Sequence, residues 1–430
     1  MLQVLLFLLL VTQAFSSEII LRSRLKYSDL RARLVQNHVA FKNLQLLSPT
    51  LGIYSVEYAD VVSTTELTSA TLMLNTLPGT LYTSKNSFLK DRSAETDFFA
   101  DPWNLGNENE FSSLALEARK QFGEPLTDKL GNEVVVAIVE GNSPSFEPSF
   151  ASRMWVNQAE VPNNKKDDDQ NGYVDDVTGI QTDISAHTTH VAGILASTGF
   201  GVAPNVKVVT VGYKAFNDYD TTKSAVMAYE YVMSLKRRWL TSKGKDGANI
   251  VSVNSSFGLD GANCQDANYK IWNDVYNQMG LLGIINAVAT TNSVVNVDVV
   301  HDIPSACDSE FIISVGDMDE NGNSKGGYGP INVDLFAQGY NIMSTVPGGF
   351  GLKSGTSMAT PHVTAAIGYL YLMANQEFAQ YTQAYPAQAA SAVRTVILKS
   401  TTKNPRYAQQ VAESGFLNLL NAAKTISVPR

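Results

Sequence analysis

The chain has 430 residues, with 32 Lys and Arg against 41 Asp and Glu and a net charge of −9. Hydrophobic residues make up 44% and charged residues 17%, which supplies a sizeable core and excludes a disordered tail protein. The acidic balance argues against nucleic acid as a partner, and two Cys exclude a disulfide-dense miniprotein or a four-Cys zinc module.

In chain order, Leu2 to Val11 is nearly all apolar. A run of about ten residues is too short to span ~30 Å of hydrocarbon. It fits the apolar part of a secretory signal, and Ala14-Phe15-Ser16 supplies small residues for a cut after Ser16. This predicts a signal peptide over 1–16 and an exported protein, extracellular or, in a bacterium, periplasmic. No later apolar run reaches ~20 residues, so no stable membrane insertion is expected.

Residues 17–97 carry nine Lys/Arg and eight Asp/Glu, whereas the rest of the chain is acidic. Leu30, Leu34 and Val35 have helical spacing within Lys26 to Phe41, and Leu51 to Tyr58 alternates. Lys85 to Asp97 is polar and reads as an exposed, cleavable linker.

After Glu133 come apolar runs of strand length: Val134–Val139, Val206–Tyr213, Ile250–Val253, Leu281–Val288, Phe311–Val315 and Val333–Phe336. Thr222–Arg238 and Asn268–Met279 are helical between them. Near-continuous apolar strands alternating with helices predict an α/β fold, a parallel sheet covered on both faces. Ligands then belong at the carboxyl ends of the strands.

Gly355-Thr356-Ser357-Met358-Ala359-Thr360-Pro361-His362 precedes a helix apolar nearly all round, which should be buried. Pro361 belongs in a first turn and so fixes the helix start near Ser357. A hydroxyl there sits over unsatisfied N–H groups, the kind that stabilise an oxyanion. Local physics alone leaves open that Ser357 is an ordinary N-cap.

This octapeptide resembles the nucleophile signature of the subtilisin-like serine peptidases, the subtilase family. That resemblance implies a three-layer subtilisin-like fold over 98–430, preceded by a small α+β propeptide over 17–97 that assists folding and then inhibits. His187-Thr188-Thr189-His190-Val191-Ala192-Gly193 resembles the family's H-G-T-H-V-A-G block and makes His187 the general base, with Thr188 in place of Gly. Val136-Ala137-Ile138-Val139-Glu140 resembles V-A-V-I-D, and the ungapped continuation puts Glu147-Pro148-Ser149-Phe150 on H-P-D-L. Glu140 then falls on the triad acid, where the family has Asp. A one-residue slide would place Val139 there instead. Ala289-Thr290-Thr291-Asn292 falls on the family's A-G-N, making Asn292 an oxyanion donor with Thr291 in place of Gly.

Ser255, Ser256, Phe257 and Gly258 resemble the strand that binds substrate backbone and walls the S1 pocket. Asn254-Ser255-Ser256 is also a glycosylation sequon, expected to be buried and unused. Cys264 and Cys307 are an even pair in an exported chain, and both follow family blocks that flank S1, so a disulfide is expected. Asp302-Ile303-Pro304-Ser305-Ala306 resembles another family segment, and Gly415 to Ala423 the closing helix.

Asp167, Asp169 and Asn171 lie in a D-x-D-x-N-G run whose alternating oxygens and Gly suit a structural Ca²⁺. Thr178 stands at the twelfth position where Glu is usual, Asp175 and Asp176 are possible substitutes, and an acidic turn without metal is the alternative. Two function classes follow. The first is a secreted, monomeric serine endopeptidase with polypeptide substrates and its own propeptide as inhibitor. The second is a catalytically impaired protein of the same fold that binds peptide or protein. Glu140, Thr188 and Thr291 are the residues that separate them.

Overall fold

The computed structural model describes residues 18–37, 39, 41–58, 64–92, 94–96, 103–216 and 221–426. The expected leader over 1–16 and the 97/98 boundary lie outside these residues.

A small N-terminal unit comes first. β1 (Glu18–Ser23), α1 (Tyr27–Gln36), β2 (Phe41–Ser48), β3 (Ile53–Tyr58), α2 (Thr64–Thr76) and β4 (Thr80–Lys85) follow one another. The strands form an antiparallel sheet in the order β2-β3-β1-β4. Leu30 and Leu34 of α1 and Ala70 and Leu74 of α2 pack on Ile19, Leu21, Tyr54 and Val56 of the sheet. Two short strands follow, β5 (Lys90–Asp91) and β6 (Ala94–Thr96).

The larger unit begins with α3 (Ala115–Phe122), β7 (Val135–Glu140), β8 (Gly179–Ile180), α4 (Ala186–Ala196), β9 (Lys207–Gly212) and α5 (Thr222–Ser242). It continues through β10 (Ile250–Ser255), β11 (Phe257–Asp260), α6 (Ile271–Leu281), β12 (Ile285–Ala289), α7 (Val297–Val300), β13 (Asp302–Ile303) and β14 (Ile312–Met318). Then come β15 (Leu335–Gln338), β16 (Ile342–Val346), β17 (Gly349–Ser354) and α8 (Thr356–Met373). α9 (Gln376–Ala384), α10 (Pro386–Lys399), β18 (Thr402–Lys403), β19 (Gly415–Phe416) and α11 (Leu419–Thr425) close it.

Nine strands form the central sheet in the order β18-β19-β15-β14-β12-β10-β7-β9-β8. Every pairing is parallel except β18 with β19. Side chains alternate along each strand. Val136 and Ile138 face the buried helices α4 and α8. Val135, Ala137 and Val139 face α5 and α6. The expected sheet with both faces covered is therefore present. The strand expected from Leu281 starts later, at Ile285, because Leu281 still belongs to α6.

The small unit docks on α5 and α6. Ser48 Oγ and Thr50 Oγ1 donate to Glu230 at 2.5 and 2.8 Å. Arg22 and Tyr82 meet the Asp274 carboxylate. Asn86 Oδ1 accepts from Lys223 N–H at 2.9 Å, and Ser87 O from Thr222 N–H at 2.8 Å, so the unit caps the start of α5. Among the described residues no helix is long and apolar enough to cross a membrane.

Candidate active site

The expected site residues meet at the carboxyl ends of β7, β10 and β12 and the first turns of α4 and α8. Glu140 ends β7 and shares the face of Val136 and Ile138, so its carboxylate points toward α4. Val139 points the other way, into the cluster with Tyr213 and Phe257. A slide that placed Val139 on the acid position would aim it at the wrong layer. His187 is the second residue of α4, where Ser185 Oγ caps the N–H groups of His187 and Thr188 at 3.1 and 3.5 Å. The turn after Glu140 holds this cap in place, because Ser185 N–H donates to Ser143 O at 2.9 Å.

Glu140 is 1% exposed and His187 7%. Glu140 Oε2 lies 3.7 Å from His187 Nδ1. Its Oε1 accepts from Ser256 N–H at 2.9 Å and Asn254 Nδ2 at 3.4 Å. The longer acid thus reaches both the imidazole and the backbone between β10 and β11. Ser357 Oγ donates to Ser256 O at 2.9 Å, and among the described residues neither ring nitrogen of His187 has a hydrogen-bond partner. Asn254 is fully buried, as expected for an unused sequon.

Ser357 is not an N-cap. Gly355 holds that position with φ +142°, a conformation open to Gly, and Ser357 is the second residue of α8. Pro361 lies in the second turn rather than the first. Its missing N–H frees the Ser357 carbonyl four residues back, and Ser256 Oγ takes that place at 3.1 Å. Asn292 Oδ1 accepts from Thr356 N–H at 3.0 Å and Thr356 Oγ1 at 3.1 Å, which leaves its amide N–H groups as the end free to donate to a substrate.

The segment read as an exposed linker is exposed only in part: Lys85, Phe88, Lys90 and Asp91 face solvent, whereas Asn86 and Ser87 are buried. Leu89 is buried and Arg92 is 2% exposed. Lys90 and Asp91 pair antiparallel with Gly258 and Phe257 of β11. Ala94 to Thr96 pairs antiparallel with β17. Between them, Ser357 N–H donates to Arg92 O at 3.1 Å. Composition alone misled here, because the polar side chains find partners across the cleft.

Burial lowers the His187 pKa, opposed by Asp91 and reinforced by Lys353. Burial also pushes His190 down to about 3, where its ring faces Ile342 O and Gly351 O at 2.9 and 3.1 Å. Both acceptors are carbonyls, so Nε2 carries the proton of a neutral ring. His362 is lowered by burial to about 4, with Nδ1 facing Met358 O at 2.8 Å. Cys264 and Cys307 form the expected disulfide.

The expected cation loop is differently wired. The Asp167 carboxylate accepts from Asn171 and Gly172 N–H groups at 3.0 and 2.9 Å. Asn171 Nδ2 donates to Asp169 and Asp176 at 3.1 and 2.9 Å. The acids whose oxygens converge within 4.8 Å of one another are Glu160, Asp169 and Asp176. Of the three expected ligands only Asp169 belongs to that group. Burial raises Asp176, while for Asp169 burial is outweighed by Asn157 and Arg238, which lower it.

The sequence profile described as the Subtilase family matches residues 131–417. The chain belongs to the subtilase family. It is 28% identical over 228 residues to Subtilisin-like protease 1 of Pseudogymnoascus destructans, covering 52% of this chain and 50% of that one. To cerevisin of Saccharomyces cerevisiae it is 26% identical over 328 residues, covering 75% and 45%. The chain thus spans about half the length of these curated subtilase relatives. Fervidolysin from Fervidobacterium pennivorans, a keratinolytic enzyme related to subtilisin, superposes with TM-score 0.66 at 18% identity, covering 95% of this chain and 61% of that one. The epidermin leader peptide processing serine protease of Staphylococcus aureus gives 0.64 at 15%, covering 95% and 98%. The fold is subtilisin-like α/β.

Proposed function

We propose that this subtilase is a serine endopeptidase made as a precursor, with 17 to about 97 as its inhibitory propeptide. One observation carries the reading: a stretch of its own backbone runs antiparallel along β11 and β17 with the Arg92 carbonyl on the Ser357 N–H. That is how a peptide substrate adds itself as a strand.

For attack, the Ser357 hydroxyl leaves Ser256 O and gives its proton to His187 Nε2 as Oγ bonds to the substrate carbonyl carbon. Glu140 holds the Nδ1–H tautomer and stabilises the imidazolium. The Ser357 N–H and the Asn292 amide take the oxyanion. The C–N bond then breaks, His187 protonates the leaving amine, and water hydrolyses the ester by the same proton path. Ser255, Ser256, Phe257 and Gly258 hold the substrate backbone and wall S1.

Export rests on the apolar Leu2–Val11 run and on the Cys264–Cys307 disulfide, a bond that persists outside the reducing cytosol. The protein is read as a monomer. For Ca²⁺ the donors fit: Glu160 Oε2 is buried without a hydrogen-bond partner among the described residues and converges with Asp169 and Asp176. A carboxylate set of this kind suits the ion, which would tie together the Glu160, Asp169 and Asp176 parts of the segment between β7 and β8. Asp167 and Asn171 then shape the loop.

The test is labelling of purified, propeptide-free protein with a fluorophosphonate, with Ser357→Ala as control. Labelling that vanishes in the variant is expected. A wild type that neither labels nor cleaves casein would leave the peptide-binding reading in its place.

A further inference from the structure

We propose that this peptidase cleaves after arginine, that Asp302 selects that residue, and that its first substrate is its own Arg92–Ser93 bond, which ends the propeptide at Arg92 in place of the approximate boundary at 97. The inference rests on the peptidase reading above and adds the substrate class.

The Arg92 side chain fills a closed pocket formed by β11, β13 and the end of β12. Its Nη1 and Nη2 donate to Asp302 Oδ2 and Oδ1 at 2.9 and 2.6 Å, a two-pronged pair. Nη2 also donates to Ile303 O at 3.1 Å, and Nη1 to Ala289 O. Asp302 is 0% exposed. The pocket therefore offers a carboxylate and two carbonyls, all acceptors, to the planar fork of one side-chain type. Asp260, at the pocket mouth, lies 3.7 Å from Nη2.

The walls agree with this occupant. A Cβ built on Gly258 would fall inside the Arg92 guanidinium and against Ile303 O. Gly258 is thus required for a long side chain to enter. Burial raises the Asp302 pKa, and the Arg92 charge and Ser305 Oγ act against that rise. An uncharged P1 residue, the one donating the scissile carbonyl, would leave this carboxylate buried without its cation. Lys brings the charge without the fork.

The neighbouring positions are less demanding. Lys90 and Asp91 are exposed and contribute backbone pairing, which carries no sequence information. Leu89, three residues before Arg92, is buried among apolar residues and is a second, weaker determinant. In the first turnover Ser357 Oγ bonds to the Arg92 carbonyl carbon, the bond to Ser93 N breaks, and His187 protonates that nitrogen. Water then releases Arg92 as a carboxylate, leaving Ser93 as the new N-terminus.

The experiment has two arms. In the first, the precursor and its Arg92→Leu variant are expressed and N-terminally sequenced. Ser93 is expected from the first, and no cut at this bond from the second. In the second, mature enzyme is given the peptides Leu-Lys-Asp-Xaa-Ser-Ala-Glu with Xaa as Arg, Lys, Leu, Gln or Ala. Arg should exceed Leu by about 10⁴-fold in kcat/KM, because the site's buried polar groups are otherwise unpaired. Asp302→Ser should remove that preference. Gly258→Val, which keeps Asp302 but fills the pocket, should turn it toward small residues. Both variants carry a foreign protease site in place of residues 89–92, so that maturation does not depend on the pocket. Fluorophosphonate labelling runs in parallel. Labelling with equal cleavage after Leu and Arg overturns the specificity alone. No labelling and no cleavage of any peptide removes the peptidase reading and this inference with it.

Discussion

Replacing Glu140 tests the least ordinary feature of the site. Its Oε2 lies 3.7 Å from His187 Nδ1 with both groups buried. At an effective dielectric near 20, that pair is worth about 4.5 kcal/mol once the ring is protonated. Glu140→Asp withdraws the carboxylate by one methylene, roughly 1.5 Å, which reduces the attraction to about 3.2 kcal/mol. The difference of about 1.3 kcal/mol is about tenfold in rate. Glu140→Asp also releases the Ser256 N–H that Oε1 now accepts, loosening the strand whose carbonyl holds the Ser357 hydroxyl. The combined expectation is a fall in kcat of about 10- to 10²-fold. Glu140→Gln keeps the length but loses charge and tautomer control, and should lose about 10⁴-fold. The assay is kcat on an Arg-containing peptide, normalised by fluorophosphonate titration so that misfolded material does not count. An increase in Glu140→Asp would mean the site is a decayed Asp site. Wild-type kcat in Glu140→Gln would refute the reasoning altogether.

Two further outcomes follow from the geometry. Burial holds the His187 pKa below its ordinary 6.5, and a general base must be neutral, so self-processing should keep its rate as pH falls below 6.5; processed fraction against pH in a refolding time course checks this, and an acid limb centred above 6.5 contradicts it. If Ca²⁺ sits among Glu160, Asp169 and Asp176, it stabilises the fold by about 2.7 kcal/mol at 100 times its Kd; chelator should then lower the Tm of the wild type but not of Glu160→Gln, and an unchanged wild-type Tm dismisses the ion.

The sequence by itself determined the α/β alternation, because apolar runs of strand length and helical spacing are local patterns. It also marked the candidate site blocks, since Ser357, His187, Asn292 and the Ser256–Gly258 segment stand in family-like motifs that can be read along the chain. Pro361 was legible as a marker of the start of α8, but not its turn. Its freed acceptor is satisfied by Ser256, 101 residues away.

Only the tertiary structure shows that Glu140, and not Val139, faces His187. Period-2 alternation puts them on opposite faces, but which face holds His187 depends on where α4 packs. Only the structure pairs Lys90–Asp91 with β11 and Ala94–Thr96 with β17, where composition had suggested a free linker. Arg92 looks like a surface charge until Asp302, 210 residues later, is folded beneath it. The same holds for Glu160 and Asp176, which no motif pairs with Asp169. Composition prices a charge as if water surrounded it. Burial and a partner brought from far along the chain reverse that sign, and both are properties of the fold.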